Sequence, residues 1–248
     1  MQPIIRAIVT GHSRGLGAAM TAQLLARSIP VLGCARHGNP DLMSRFPTLL
    51  QEAELDFGNV DALRTWLEGR TLQQFSRDAD CVLLINNAGT LGPIGPAEIQ
   101  PLHEIATTLQ INVAAPLMLT AALARAHSGE LRIIHISSGA ARTPYAGWSV
   151  YCATKAALDH QADATAADGR TNLRICSLAP GVVDTEMQTL VRATPEVRFP
   201  MLRKFQRLHK EGHLTPPDTA AERIVAYLLD ARFGQTQIAD LRELPAIS

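Results

Sequence analysis

The stretches V-L-L-I at 82–85 and I-I-H-I at 133–136 are apolar at nearly every position rather than at every second one. A strand with one wet face alternates. A run without alternation suits a strand buried on both faces, as in parallel sheets covered by helices. Candidate strands fall at 4–10, 30–35, 52–56, 81–86, 131–137, 172–179 and 235–240, and helical patterns separate them at 15–27, 59–68, 101–126, 149–168 and 218–230. This βαβα order predicts a single α/β domain over 1–248, with a doubly wound sheet of about seven parallel strands and helices on both faces. Pro101 suits the first turn of the helix at 101–126, and Pro116 is expected to kink or break it. The stretch 186–217, with Pro195, Pro200, Pro216 and Pro217, interrupts the alternation. It is the candidate for a mobile flap over a site; a surface excursion without a role is the alternative.

Composition narrows the function classes. The 248 residues include 23 basic and 23 acidic side chains, for a net charge of zero, and 46% are hydrophobic. No basic stripe or acidic tail stands out, which argues against a nucleic-acid or membrane-surface partner. No apolar stretch is read as reaching the roughly 18 residues that span a bilayer. The N-terminal M-Q-P-I-I-R-A-I-V-T runs straight into a strand, without a signal peptide's layout. Cys34, Cys81, Cys152 and Cys176 are widely spaced and show neither CxxC nor Cys/His metal spacing. They read as reduced, mostly buried thiols of a cytoplasmic protein, with Cys152 a packing residue and no metal expected.

The loop T-G-H-S-R-G-L-G at 10–17 follows the first strand and opens the first helix. Gly11, Gly15 and Gly17 permit a tight turn and let a pyrophosphate approach the backbone at a helix N-terminus. The spacing is a variant of the dinucleotide-binding glycine pattern. After the second strand, V-L-G-C-A-R-H-G carries Arg36 and no acid before Asp41. An acid there would favour the ribose hydroxyl of NAD; arginine favours a 2′-phosphate, and Arg14 in the loop offers a second guanidinium. The expected cofactor is NADP.

Tyr151 and Lys155 stand four apart in Y-C-A-T-K, thirteen residues or more after Ser138. On a helix this spacing puts both on one face, about 5–6 Å apart at their Cβ atoms. A cation beside a phenol favours the phenolate, and so brings tyrosine nearer the range useful for proton transfer at neutral pH.

Together these residues resemble the short-chain dehydrogenase/reductase family over essentially the whole chain. The matches are T-G-x-x-x-G-x-G at 10–17, N-N-A-G at 86–89, Asn112, Ser138 in I-S-S-G, Y-x-x-x-K at 151–155 and P-G-V-V-D-T at 180–185. A-P-G-V-V-D-T-E-M-Q at 179–188, L-G-P-I at 91–94 and the A-R after strand two make it most similar to the sepiapterin-reductase and benzil-reductase group of NADPH carbonyl reductases. The resemblance implies a Rossmann-type fold. It assigns Ser13, Arg14 and Leu16 of the loop to the cofactor, Asp56 to its adenine ring, and Asn87, Ala88 and Gly89 to the wall beside its adenosine. Pro180, Gly181, Val183 and Thr185 would hold the nicotinamide end. N-N-A-G is, by itself, also a plain strand-to-helix turn.

The resemblance further implies Tyr151 as proton donor, Ser138 as the hydrogen-bond donor to the substrate oxygen, and Lys155 as the tuner of Tyr151 that also holds the nicotinamide ribose. Asn112 would position a water linking Lys155 to solvent. Ser137 competes with Ser138 for its post. His135 reads as a buried strand histidine, and His12 as an exposed filler in the glycine loop. Leu91, Tyr145, Trp148 and Met187 are candidate substrate residues, with Ile94, Leu190 and Phe199 adding apolar surface that suits a bulky or aromatic ketone. Asp240 is a candidate grip on a polar ring. The expected reaction is reduction of a ketone, diketone or pterin-like carbonyl. A reductase of acyl-thioester or steroid-like substrates, and a non-catalytic NADP sensor, are the other readings. Alanine-rich surfaces on the helices at 101–126 and 149–168 point, with the family, to a homodimer or homotetramer.

Overall fold

Ala7, Ile8 and Val9 are all fully buried, yet successive residues face different helix layers. Ala7 and Val9 pack with Met20, Leu24, Ile224 and Leu228, whereas Ile8 packs with Leu63, Leu119 and Leu123. The same division separates Leu83 and Ile85 from Val82 and Leu84. Two apolar layers, one on each side of a sheet, therefore account for the runs that do not alternate.

The computed structural model describes residues 3–245. Among them, seven strands form one sheet: β1 (Ile5–Thr10), β2 (Val31–Ala35), β3 (Leu50–Glu54), β4 (Cys81–Asn86), β5 (Glu130–Ile136), β6 (Leu173–Ala179) and β7 (Ile238–Asp240). All neighbours are parallel, in the order β3-β2-β1-β4-β5-β6-β7. This is the Rossmann-type doubly wound arrangement. The chain reverses its direction of winding between β1 and β4, which opens a crevice at the carboxyl ends of those strands.

The helices are α1 (Gly15–Leu25), α2 (Pro40–Arg45), α3 (Val60–Glu68), α4 (Thr71–Ser76), α5 (Leu102–Leu109), α6 (Ala115–Ala126), α7 (Ser149–Ala167), α8 (Glu186–Ala193), α9 (Leu202–Lys210) and α10 (Pro217–Leu229). Asn39 and Asn59 cap α2 and α3 by accepting from Leu42 N and Ala62 N, each at 3.0 Å. The second of three clusters, described above, lies under α3, α6 and α7, the first under α1 and α10.

Four expectations are adjusted. The third strand lies two residues earlier than 52–56, because Leu50 is its buried anchor and Glu52 and Glu54 lie on its margin. The last strand is only Ile238–Asp240, and the loop before it is irregular. The helix expected at 101–126 begins after Pro101 and bends through a π turn at Gln110–Ala114, just ahead of Pro116, which sits at the second position of α6. Proline has no N–H to give, so the wider turn takes up the helix at that point. The combined stretch Leu102–Ala126 is 25 residues long and apolar enough to meet the length and composition of a bilayer span, contrary to the sequence reading. It lies on the sheet, with Leu119 and Leu123 in the core.

The interrupted stretch 186–217 holds α8 and α9. Phe199 between them, and Leu202 and Phe205 of α9, form a third cluster with Trp148, Tyr151 and Leu91.

Candidate active site and cofactor cleft

The glycine loop is shaped by its neighbours before anything binds in it. Gly11 and Gly15 have φ values of +69° and +54°, where a side chain is strained. A Cβ on Gly17 would run into the Gly11 carbonyl oxygen. Asn87 Nδ2 donates to Thr10 O at 2.9 Å and Gly11 O at 3.3 Å, while Thr10 Oγ1 accepts from Asn87 N and Ala88 N, each at 2.9 Å. The N-N-A-G turn is thus the clamp of the glycine loop.

Helix α1 starts with Arg14 at its N-cap, without a side-chain cap and without an acid in its first turn. The amides of its first turn and the positive end of its dipole remain available to an anion. Thr185, the N-cap of α8, lies on the other side of Gly15: a Cβ there would fall 3.4 Å from its methyl group. Val183 is buried and bridges to Thr215, and Gly181 has φ +81°. Pro180 directly precedes it at the end of β6. Ser13 O accepts from Asn39 Nδ2 at 3.1 Å, and Leu16 is buried beneath the loop. A dinucleotide fits this set: the first-turn amides of α1 suit a pyrophosphate, and Arg14 and Arg36, the arginines expected for a 2′-phosphate, are both exposed. Arg14 meanwhile pairs with Glu186 at 2.5 Å, both side chains 69% exposed. Asp56 is exposed beyond the end of β3, where it accepts from Gly58 N at 2.9 Å.

His12 departs from expectation. It is fully buried, not exposed: its ring lies against Gly33 of β2, and Nε2 is 2.7 Å from Glu52 Oε1. Glu52 Oε1 also accepts from Asn39 N at 2.6 Å. The absence of a side chain at Gly33 makes room for the imidazole.

Beyond β5, Ser138 caps a short turn at Gly139–Ala141 by accepting from Ala140 N at 3.1 Å. Its hydroxyl acts on the Tyr151 phenol, lowering the phenol's pKa. Ser137 faces the other way: its hydroxyl donates to Asp159 Oδ1 at 2.7 Å. The geometry thus brings Ser138, not Ser137, to the phenol. Tyr151 is only 6% exposed. Burial pushes its pKa up to about 12, with the Ser138 hydroxyl pulling the other way. Lys155 does not lower it as the sequence suggested. Its Nζ lies 5.7 Å from the centre of the Tyr151 ring and donates to Ile136 O at 2.8 Å. Burial lowers the Lys155 pKa to about 8, against the pull of Asp159. Gly89 lies beside both, with its Cβ position 3.4 Å from Asn112 Oδ1 and 3.7 Å from Lys155 Nζ.

Asn112 sits in the π turn, fully buried. Its side chain is committed: Oδ1 accepts from Thr90 N at 2.8 Å, and Nδ2 donates to Thr90 O at 2.7 Å and Thr154 Oγ1 at 3.1 Å. Pro116, four residues on, has no N–H to offer the Asn112 main-chain carbonyl.

Of the candidate substrate residues, Leu91 and Trp148 are buried, Tyr145 and Met187 half-buried. Trp148 is packed by Tyr145, Tyr151, Phe199 and Phe205, with centroids 4.5–5.5 Å apart. Leu190 is exposed and stands apart from this group. Asp240 holds Arg242 with both oxygens, at 2.7 and 2.9 Å, and this lowers its pKa. A substrate would have to displace that guanidinium.

His135 is buried as expected, between Asn86 Nδ2 at 3.1 Å and Gln161 Oε1 at 2.7 Å, and burial lowers its pKa to about 4. The sequence reading missed Thr10, Glu52 and Asp159. Only Asp159 carried a signal, since it continues the four-residue spacing of Tyr151 and Lys155. Among the described residues no cluster of side chains suits a metal ion.

The short chain dehydrogenase family model matches residues 6–196. Benzil reductase ((S)-benzoin forming) of Bacillus cereus is 34% identical over 246 residues, covering 95% of this chain and 98% of the relative. Sepiapterin reductase of Meriones unguiculatus is 34% identical over 240 residues, covering 89% and 90%. The crystal structure of a short-chain dehydrogenase/reductase from Burkholderia vietnamiensis is 46% identical, superposes with a TM-score of 0.72 and covers 99% of this chain and all of that one. By the order of its motifs, the sheet that holds them and these relatives, the chain belongs to the short-chain dehydrogenase family of oxidoreductases.

Proposed function

We propose that the protein is an NADP(H)-dependent reductase of bulky or aromatic carbonyl compounds. The observation that carries this reading is the grouping of the buried Tyr151 phenol with Ser138, which lowers its pKa, and with the Lys155 ammonium 5.7 Å from the centre of its ring. The site lies at the carboxyl edge of the sheet, next to an uncapped helix N-terminus. Bound there, a reduced nicotinamide supplies hydride to a carbonyl carbon.

The residues supply the rest. The Tyr151 hydroxyl gives its proton to the substrate oxygen as negative charge develops there, and Ser138 donates a second hydrogen bond to the same atom. Tyr151 is held neutral by burial, so it is a ready proton donor. Lys155 keeps a positive charge beside it, and the Asn112 carbonyl gives water a place from which to return the proton. Arg14 and Arg36 would receive a 2′-phosphate, once Arg14 leaves Glu186. The aromatic cluster around Trp148 supports an apolar substrate, and excludes water from the phenol.

Two relatives are by name a benzil reductase and a sepiapterin reductase, which supports a diketone or a pterin-like ketone as substrate. Self-association through the face of α5, where Leu102 and Leu109 are exposed, belongs to the same reading.

The test is Tyr151→Phe assayed with NADPH against benzil and sepiapterin. Turnover is expected to fall by about 10²–10⁴-fold, with NADPH affinity retained. Undiminished turnover would remove Tyr151 as proton donor.

A further inference from the structure

Asp159 lies on α7 one turn beyond Lys155 and two turns beyond Tyr151, so the three share a face of the helix. It is only 5% exposed. A buried carboxylate is costly unless hydrogen-bonded and paired with a cation. Hydroxyls satisfy one oxygen: Ser137 and Ser177 both donate to Oδ1 at 2.7 Å. Oδ2 has no hydrogen bond, and the nearest cation to it is Arg142, whose Nε stands 3.4 Å away and whose side chain is 39% exposed.

Lys155 has the complementary need. Its one hydrogen bond goes to a neutral carbonyl, Ile136 O. The other titratable groups around the pair carry no opposing charge. From β5, His135 is neutral at pH 7, with its pKa near 4; from β6, the Cys176 thiol is raised to about 11; on α7 itself, Tyr151 is raised to about 12. Asp159, one turn along α7, is the carboxylate that acts on the Lys155 ammonium.

We propose that Asp159 is the counter-ion of Lys155 and a positioning residue for the reaction. It keeps the ammonium charged, and through Ser137 it ties the segment bearing Ser138 to the helix bearing Tyr151. The inference rests on the role given to Lys155 above. It explains why a lysine this deeply buried can serve at neutral pH, and why Ser137 turns away from the phenol. Arg142 competes for the same carboxylate from the solvent side.

The chain holds three lysines, Lys155, Lys204 and Lys210. A pH titration of protein labelled with 13C-lysine, free of cofactor, therefore follows Lys155 directly by NMR. Asp159→Asn keeps the shape and removes the charge. The expected result is a fall of the Lys155 midpoint by about 1 pH unit or more, with the alkaline limb of the rate profile moving to lower pH by a similar amount. Coincident midpoints in the two proteins would overturn the proposal. If Asp159→Asn does not fold, Arg142→Gln serves instead: freeing Asp159 from its competitor raises the Lys155 midpoint, and an unchanged or lower midpoint counts against the pairing. Should Tyr151→Phe retain full turnover while the midpoint still shifts, the catalytic reading falls and the ion pair stands.

Discussion

The indole of Trp148 stacks on the ring of Phe199, with centroids 4.5 Å apart and planes 14° from parallel. Trp148 stands three residues before Tyr151, and Phe199 belongs to the stretch between α8 and α9. The contact fastens that stretch over the phenol. Trp148, a candidate substrate residue by sequence, is buried in this stack. Phe199 is fully buried, and truncating such a ring costs about 3–5 kcal/mol. Phe199→Ala should lower the melting temperature and lower KM for the bulkiest ketones relative to small ones. Equal KM changes across ketone size would separate the cover from the substrate path.

Cofactor choice is expected to follow Arg36. Arg36→Asp should weaken NADPH binding about tenfold or more and improve NADH binding, as read by fluorescence titration. Glu186→Gln should act in the opposite sense for NADPH, because it frees Arg14 from its 2.5 Å partner.

Burial of Lys155 implies a pH-dependent cost. Its folded pKa, about 8, lies below the ordinary lysine value of 10.5. Below pH 8 both states are protonated and the folded state bears the full penalty. Between pH 8 and 10.5 the unfolded chain binds more protons than the folded one, so the penalty is relieved as pH rises. Stability in urea unfolding should therefore rise between pH 8 and 10.5, and Lys155→Met, which removes the group, should flatten that rise.

His12 and Gly33 should behave as a size pair. Gly33→Val would drive a side chain into the His12 ring, and His12→Ala would leave a void beside Glu52. Each alone should destabilise the fold; the double variant should recover part of the loss, a non-additivity readable from the three midpoints of thermal unfolding.

The sheet was legible because Leu83 to Ile85 and Ile133 to Ile134 leave no wet face for a strand to show. The Tyr151–Lys155 spacing was legible because α7 is regular from Ser149 to Ala167. What stayed hidden depends on contacts distant in sequence. His12 reads as a loop filler until Gly33, twenty-one residues on, makes a hole for it. The pKa of Tyr151 could not be read from Lys155 alone, because the ammonium turns to Ile136 and burial dominates. The helices within 186–217 were masked by four prolines that in fact stand between or at the ends of helices. Asp56 was placed in a strand, and lies in a turn, because the buried anchor of β3 is Leu50.

The clamp of Asn87 on Thr10 and Gly11 bears on the order of events at the site. A loop held by β4 loses little freedom when a dinucleotide arrives, so the conformational cost of association falls on the aromatic cover instead. On the proposed function, the rigid half of the cleft would receive the nucleotide, and the packed half over Tyr151 would have to part to admit the carbonyl compound. Nucleotide first and carbonyl second is the order such a division would favour, on a floor built in advance.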